Sequence, residues 1–182
     1  EQGTDLRFIG ESALLSTMLN EGGVEGELTP QQLTDSLEMA AASISIRAGG
    51  DYSSLNISCM PGQLNELIDL GVKMITKPGF EPTELTRAKQ RSLNSIQHQY
   101  DRPGGISSQL FSKIMYGNHP KAWKTTSQEI ENTTLEKLQA YLKTRFDTKD
   151  IVIGISGDFN KAEISKKLDD LSSHWKAAHM GE

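Results

Sequence analysis

Four histidines, one cysteine and a few acidic pairs are the residues here whose types could do chemistry. A zinc-peptidase helix needs two histidines at i and i+4 on one face, with a glutamate between them as base. The histidines are His98, His119, His174 and His179. The nearest two, His174 and His179, are turned roughly 140° apart on a helix, which makes them surface residues, not a metal pair. "GISGDF" (154–159) misses the nucleophile-elbow pattern because a glycine follows Ser156 directly. It reads as a strand ending in a tight turn, with Asp158 or Asn160 capping the next helix. "GGVEG" and "AGGD" lack the positioned lysine and the strand-to-helix setting of a phosphate loop. Asp169 and Asp170 fall on a helix surface and carry no acid/base signal. Cys59 alternates with buried strand positions and reads as a small core residue. Spacing and residue type alone yield no catalytic site.

The elements that would position such residues alternate between helical and strand-like patterns. Helix 10–20 has Ala13, Leu14, Leu15, Met18 and Leu19 on a wide apolar face and leaves through a glycine-rich exit, Asn20 to Gly26. Thr29, Pro30 and Gln32 form a capping box with proline at the first helical position. "SISIRAGGDYSSLNISC" alternates apolar and polar residues on either side of Gly49-Gly50-Asp51, a β-hairpin signal over about 43–60. Helices are expected from Pro61 to about Lys77, Pro82 to about Tyr100, Ile106 to Tyr116, and after a Thr133–Glu136 capping box. "DIVIGISGDF" reads as a strand at about 150–156, in one sheet with the hairpin, and a last helix carries Ile164, Leu168, Leu171 and Trp175. The fold class is α+β: a two-layer domain with a mostly antiparallel sheet and helices packed on one face.

The chain has 182 residues, enough for one domain with a real core. A net charge of -5 with no Lys/Arg cluster argues against nucleic acid and against an anionic membrane surface. No stretch approaches the roughly 18 apolar residues of a membrane span. With Cys59 alone, no intrachain disulfide forms and the redox compartment stays open.

The order of elements resembles the insulinase, pitrilysin and mitochondrial processing peptidase superfamily of zinc peptidases. Gly10, Met18, Leu19, Gly22 and Gly23 fit the frame of that family's zinc helix. "AASISIRAGGDYSS" fits the next strand, with Asp51 in register. Pro78, Phe80, Leu85, Arg87, Lys89, Ile96, Asp101 and Pro103 match the helix after it. "YGNHP", the phrase around "TLEKL", Gly157-Asp158 and the final Trp175 continue the match over most of the chain. In this frame the zinc histidines fall on Ala13 and Thr17 and the catalytic glutamate on Ser16. Alanine has no donor atom, and a serine cannot serve as the carboxylate that deprotonates zinc-bound water. The third ligand would come early on the 82–100 helix, where only Glu81 and Glu84 stand near.

The resemblance therefore implies a non-catalytic domain of an insulinase-like peptidase that helps form a peptide-binding chamber or a domain interface. Zinc is expected only in a partner domain and no cofactor in this one. The implied partners are other domains of the same polypeptide, or a catalytic subunit, and extended peptide. Ser43, Ile44, Ser45, Ile46 and Arg47 are the peptide-contact candidates, because the matching strand of catalytic relatives pairs with substrate backbone. Two alternatives stand beside this reading: a stand-alone structural or assembly protein of the same fold, and an active metallopeptidase with an atypical site. Residues 1–182 are expected to be one domain and a piece of a larger protein, since the chain opens without Met and the family's first strands are absent. An exported, periplasmic location follows only by analogy with bacterial relatives. The missing strands imply an uncovered sheet edge and self-association through it. Protein purified without chelator is expected to carry far less than stoichiometric zinc. Stoichiometric metal, lost on Thr17→Ala, would overturn this expectation.

Overall fold

A computed structural model describes residues 9–49, 52–99, 101, 103–119, 122–146 and 151–179. The hairpin turn at Gly50-Asp51, the stretch before Ile9 and the side chain of Trp175 lie outside the described residues. The first helix, α1 (Ile9–Glu21), is built from good helix formers with no interior proline or glycine after Gly10. Leu14, Leu15, Met18 and Leu19 are each 1% exposed or less and form the centre of the core. Ala13, expected on that apolar face, is instead exposed, because it sits on the flank between the buried leucines and the polar side of the helix. The helix stops where the chain must turn into contact with a second loop. Gly23 has φ +78°, and a Cβ at Gly22 would come within 2.5 Å of the Gly79 carbonyl oxygen. Only glycine allows both the left-handed turn and that approach. α2 (Pro30–Met39) follows, with the Thr29–Gln32 capping box formed as the sequence predicts.

β1 (Ser43–Ala48) and β2 (Ser53–Ser58) form an antiparallel pair, with Ile44 opposite Ile57 and Ile46 opposite Leu55. Ile44, Ile46 and Ala48 are buried while Ser43, Ser45 and Arg47 are exposed, so one face of the hairpin meets the helices and the other meets solvent. α3 (Leu64–Thr76) packs beneath β2. Gly71 lacks the Cβ that would otherwise crowd the Leu55 and Ile57 methyls at 3.1–3.5 Å. α3 starts three residues later than Pro61, because Gly62 at φ +91° holds a turn there.

The remaining helices are α4 (Pro82–His98), α5 (Pro103–Tyr116), α6 (Ser127–Asn132), α7 (Leu135–Arg145) and α8 (Lys161–His179). α4 and α7, expected on the sheet, pack chiefly on α1, which occupies the middle of the helix layer. Leu85, Ala88, Ile130, Leu138 and Tyr141 close the core around it. The capping box expected at Thr133 and Glu136 sits one short helix earlier. Thr126 and Glu129 cap α6 reciprocally, and Thr134 alone caps α7. Thr133 is fully buried, and its hydroxyl donates to the Glu129 carbonyl at 2.8 Å. Asn160, of the two residues proposed, caps α8 by accepting from the Ala162 and Glu163 amides.

The largest departure is at 151–156. These residues have the alternation of a strand yet belong to no strand or bridge, and the described sheet has only β1 and β2. Alternation licenses a strand, but a ladder needs a neighbour with free backbone groups beside it. The fold class stands as α+β, with eight helices and one antiparallel pair among the described residues.

Glu27, in the turn between α1 and α2, pairs with Lys73 of α3 at 2.6 Å and with Lys77 at 3.8 Å. Its hydrogen bond to Lys73 holds the Glu27 carboxyl below the usual carboxylate range, and the same contact raises Lys73. A lowered carboxylate contributes stability that is present above its unfolded-state value and lost as pH falls through the folded one. Glu27→Gln should therefore narrow the stability difference between neutral pH and about pH 3–4, an effect that shrinks in high salt because the pair is exposed. Urea midpoints of both proteins across that range check it. Parallel curves would refute the tie.

Candidate functional site

α1 holds the positions that chemistry would use, and its polar side chains are already engaged. Ser12, Ser16 and Asn20 recur every four residues and so form one stripe. Asn20 receives the Ile46 amide at its Oδ1 (2.8 Å) and donates from Nδ2 to the Ile46 carbonyl (2.6 Å). Ser16 Oγ accepts from the Ala48 amide at 3.0 Å and donates to the Ser12 carbonyl at 2.9 Å. The Ser12 hydroxyl donates to the Ala48 carbonyl. In a strand, a residue's N–H and C=O point to the same edge, alternating along the chain. Ile46 and Ala48 turn both groups away from β2, and α1 satisfies all four.

At the frame's catalytic position, then, Ser16 donates its hydroxyl proton to a helix carbonyl and accepts from a strand amide. It carries no carboxylate with which to take a proton from water. Ala13 offers only a methyl group, and Thr17 is half-buried with its hydroxyl bonded back to the Ala13 carbonyl at 3.2 Å. Glu84, the nearest acid on α4, is tied to Arg87 at 2.7 Å, and Glu21 at the end of α1 is tied to Arg91. These four charges with Gln90 line a shallow depression and neutralise one another. The three frame positions, Ala13, Ser16 and Thr17, offer zinc neither imidazole nor carboxylate, and among the described residues no three His, Cys, Asp or Glu side chains come together.

The peptide-contact candidates divide by face. Ser43, Ser45 and Arg47 present exposed side chains on the solvent side of β1, and Ile44 and Ile46 point into the core. Along the edge itself, Ile46 is taken by Asn20, leaving Ile44 as the other edge-facing residue before Ala48. Ser12 and Asn20 were not among the sequence-derived candidates. Their signal was a polar stripe at four-residue spacing on an otherwise apolar helix.

No protein-family model matches the chain, and no curated protein matches its sequence. Solved structures do match. The peptidase M16 inactive domain from Pseudomonas fluorescens is 26% identical with TM-score 0.63, over 72% of this chain and 32% of that one. A protease from Helicobacter pylori reaches TM-score 0.73 at 16% identity, over 91% of this chain and 41% of its own. The periplasmic protease PqqL from Escherichia coli has TM-score 0.60 at 18% identity, over 78% of this chain and 16% of its own. The latter two share the fold. In each case this chain spans well under half of the matched one. Its structural neighbours are thus described as proteases, one of them as an inactive domain of a peptidase M16.

Removing the Asn20 side chain should leave two backbone groups of β1 without partners, at a cost of about 1–3 kcal/mol. Asn20→Ala should lower the unfolding free energy by that order and speed hydrogen exchange of the Ile46 amide. Thr17→Ala, whose hydroxyl only back-bonds within the helix, should stay within about 0.5 kcal/mol. Equal effects of the two would refute the clamp.

Proposed function

We propose that this chain is a non-catalytic domain of an insulinase-like zinc peptidase, contributing a wall or an interface of the chamber that a zinc-bearing domain completes. The observation that carries the reading is the use of Ser16. A helix in the frame of the zinc helix has its catalytic position converted into a tie to β1. The 26% likeness to a domain described as inactive supports it. The solvent face of β1, with Ser43, Ser45 and Arg47, is its peptide-contact surface, acting through side chains more than through the edge, which α1 already holds at Ile46 and Ala48. Zinc belongs to the companion domain in this reading.

A stand-alone assembly protein of the same fold is the second reading, and α5 favours it equally. That helix buries none of its residues, and Phe111 and Ile114 are 62% and 79% exposed, as expected for a contact surface awaiting a partner.

Titration of a non-cleavable unstructured peptide separates the two, read by NMR of residues 43–47. Shifts at Ser43, Ser45 and Arg47 are expected in a chamber wall. Unmoved signals at millimolar peptide would leave only the assembly reading. Cleavage of that peptide's hydrolysable analogue by the isolated chain in excess zinc would overturn both and restore an atypical active peptidase.

A further inference from the structure

The β1–β2 pair has two faces of unlike character. Toward the helices lie Ile44, Ile46 and Ala48, with Leu55 and Ile57 packed against the same core. The outward face takes the alternate residues. On β1 these end in Ser45 and Arg47, and opposite them on β2 stand Asn56 and Ser54. The Asn56 side-chain amide donates to the Ser54 hydroxyl at 3.4 Å, which places both on that side. Tyr52, two residues before Ser54, continues the outward row and is 68% exposed. Its opposite number is Gly49, where a Cβ would run into the Tyr52 carbonyl oxygen, so no side chain stands beside the ring.

Arg47 is the one charge on this face among the described residues. Its neighbours are Ser45 along the strand, Ser54 directly across, and Asn56 and Tyr52 on the diagonals, all neutral. The other described arginines are engaged. Arg87 and Arg91 are tied to Glu84 and Glu21, and Arg145 lies over the Tyr141 ring at 4.9 Å. Lys73 and Lys167 likewise meet Glu27 and Asp69. Arg47 has neither a carboxylate nor a ring against it among the described residues, in a chain whose net charge is -5. Its planar fork of five N–H donors is therefore open to a ligand.

The fork matches a carboxylate in bidentate fashion. A lone cation does not hold a nucleic-acid backbone, which needs a row of them. The serine hydroxyls and the Asn56 amide around Arg47 can pair with the peptide groups on either side of such a carboxylate. Alternate residues of a strand stand about 7 Å apart, the same repeat as the side chains on one side of an extended peptide.

We propose that the outward face of the hairpin selects extended peptide segments carrying a glutamate or aspartate, whose carboxylate Arg47 holds among Ser45, Ser54 and Asn56. This selectivity rests on the peptide-contact reading of the same face. It widens that surface from β1 to β2 and gives it a substrate class.

The test uses the 182-residue chain and three end-blocked peptides of equal length, serine and glycine throughout except for a central glutamate, glutamine or lysine. The glutamate peptide should bind about two- to fivefold tighter than the glutamine peptide, the range of an exposed ion pair, and the lysine peptide should bind most weakly. By NMR the Arg47 Nε–H signal should move together with the amides of Ser45, Ser54 and Asn56. Arg47→Gln should bring the glutamate peptide down to the level of the glutamine peptide. Arg47→Lys keeps the charge and loses the fork, so it should retain part of the difference. Equal affinity of the three peptides for this face would leave it a peptide-contact surface and overturn its selectivity. No binding of any of them at millimolar concentration would overturn both. A preference for glutamate that survives Arg47→Gln, or one that leaves the Arg47 Nε–H signal unmoved, would overturn the assignment to this residue.

Discussion

The tie between α1 and the edge of β1 is the constraint on which the rest depends. An exposed strand edge is normally satisfied by another strand or by water. Here helix side chains do it, with Asn20 matching both groups of Ile46 and the two serines matching those of Ala48. The register this fixes coincides with the register that burial demands. A slip of one residue would offer α1 the wrong backbone groups and also turn Ile44, Ile46 and Ala48 to solvent. With β1 held, β2 follows through the hairpin and α3 follows β2 through Gly71. The other side of α1, with Leu14, Leu15, Met18 and Leu19, gathers α4, α6 and α7. One helix thus serves as both the edge of the sheet and the centre of the helix layer.

The same arrangement sets the polar stripe of α1 apart from the geometry that a zinc helix needs. A zinc helix must aim its polar atoms at a shared point in the cleft, with lone pairs free. The hydroxyls of Ser12, Ser16 and Thr17 and the amide of Asn20 are aimed at main chain instead. Placing a glutamate at Ser16 would remove the contact to the Ala48 amide before creating a chemical one. The glycine pair after the helix is retained for a reason of its own, the close approach of Gly22 to Gly79.

Local signals were legible in the sequence, and pairings were not. The Thr29–Gln32 box and the 43–58 hairpin are decided by residues within a few positions of each other, and both form as read. Thr133, Thr134 and the earlier Thr126 all have the chemistry of a cap, and which one serves depends on where α6 ends, a matter of packing. Residues 151–156 carry the pattern of a strand, but pairing depends on what lies alongside, which no pattern encodes. Ala13 is apolar yet exposed, since a helix flank accepts alanine on either side. The clamp escaped notice because serine and asparagine inside a helix are usually read as neutral surface residues that bond to their own backbone. Thr17 does that, whereas Ser16 and Asn20 do so while also reaching a strand. The identities of Ala13, Ser16 and Thr17, by contrast, are read from the sequence directly, without any question of packing.

α5 has a consequence for how the chain behaves in water. Its Ile106, Leu110, Phe111, Ile114 and Met115 are all exposed along one helix. An apolar surface of this kind gains more from meeting another apolar surface than from meeting water. The concentration at which the chain stays dispersed is therefore set by this helix rather than by the packing of its core.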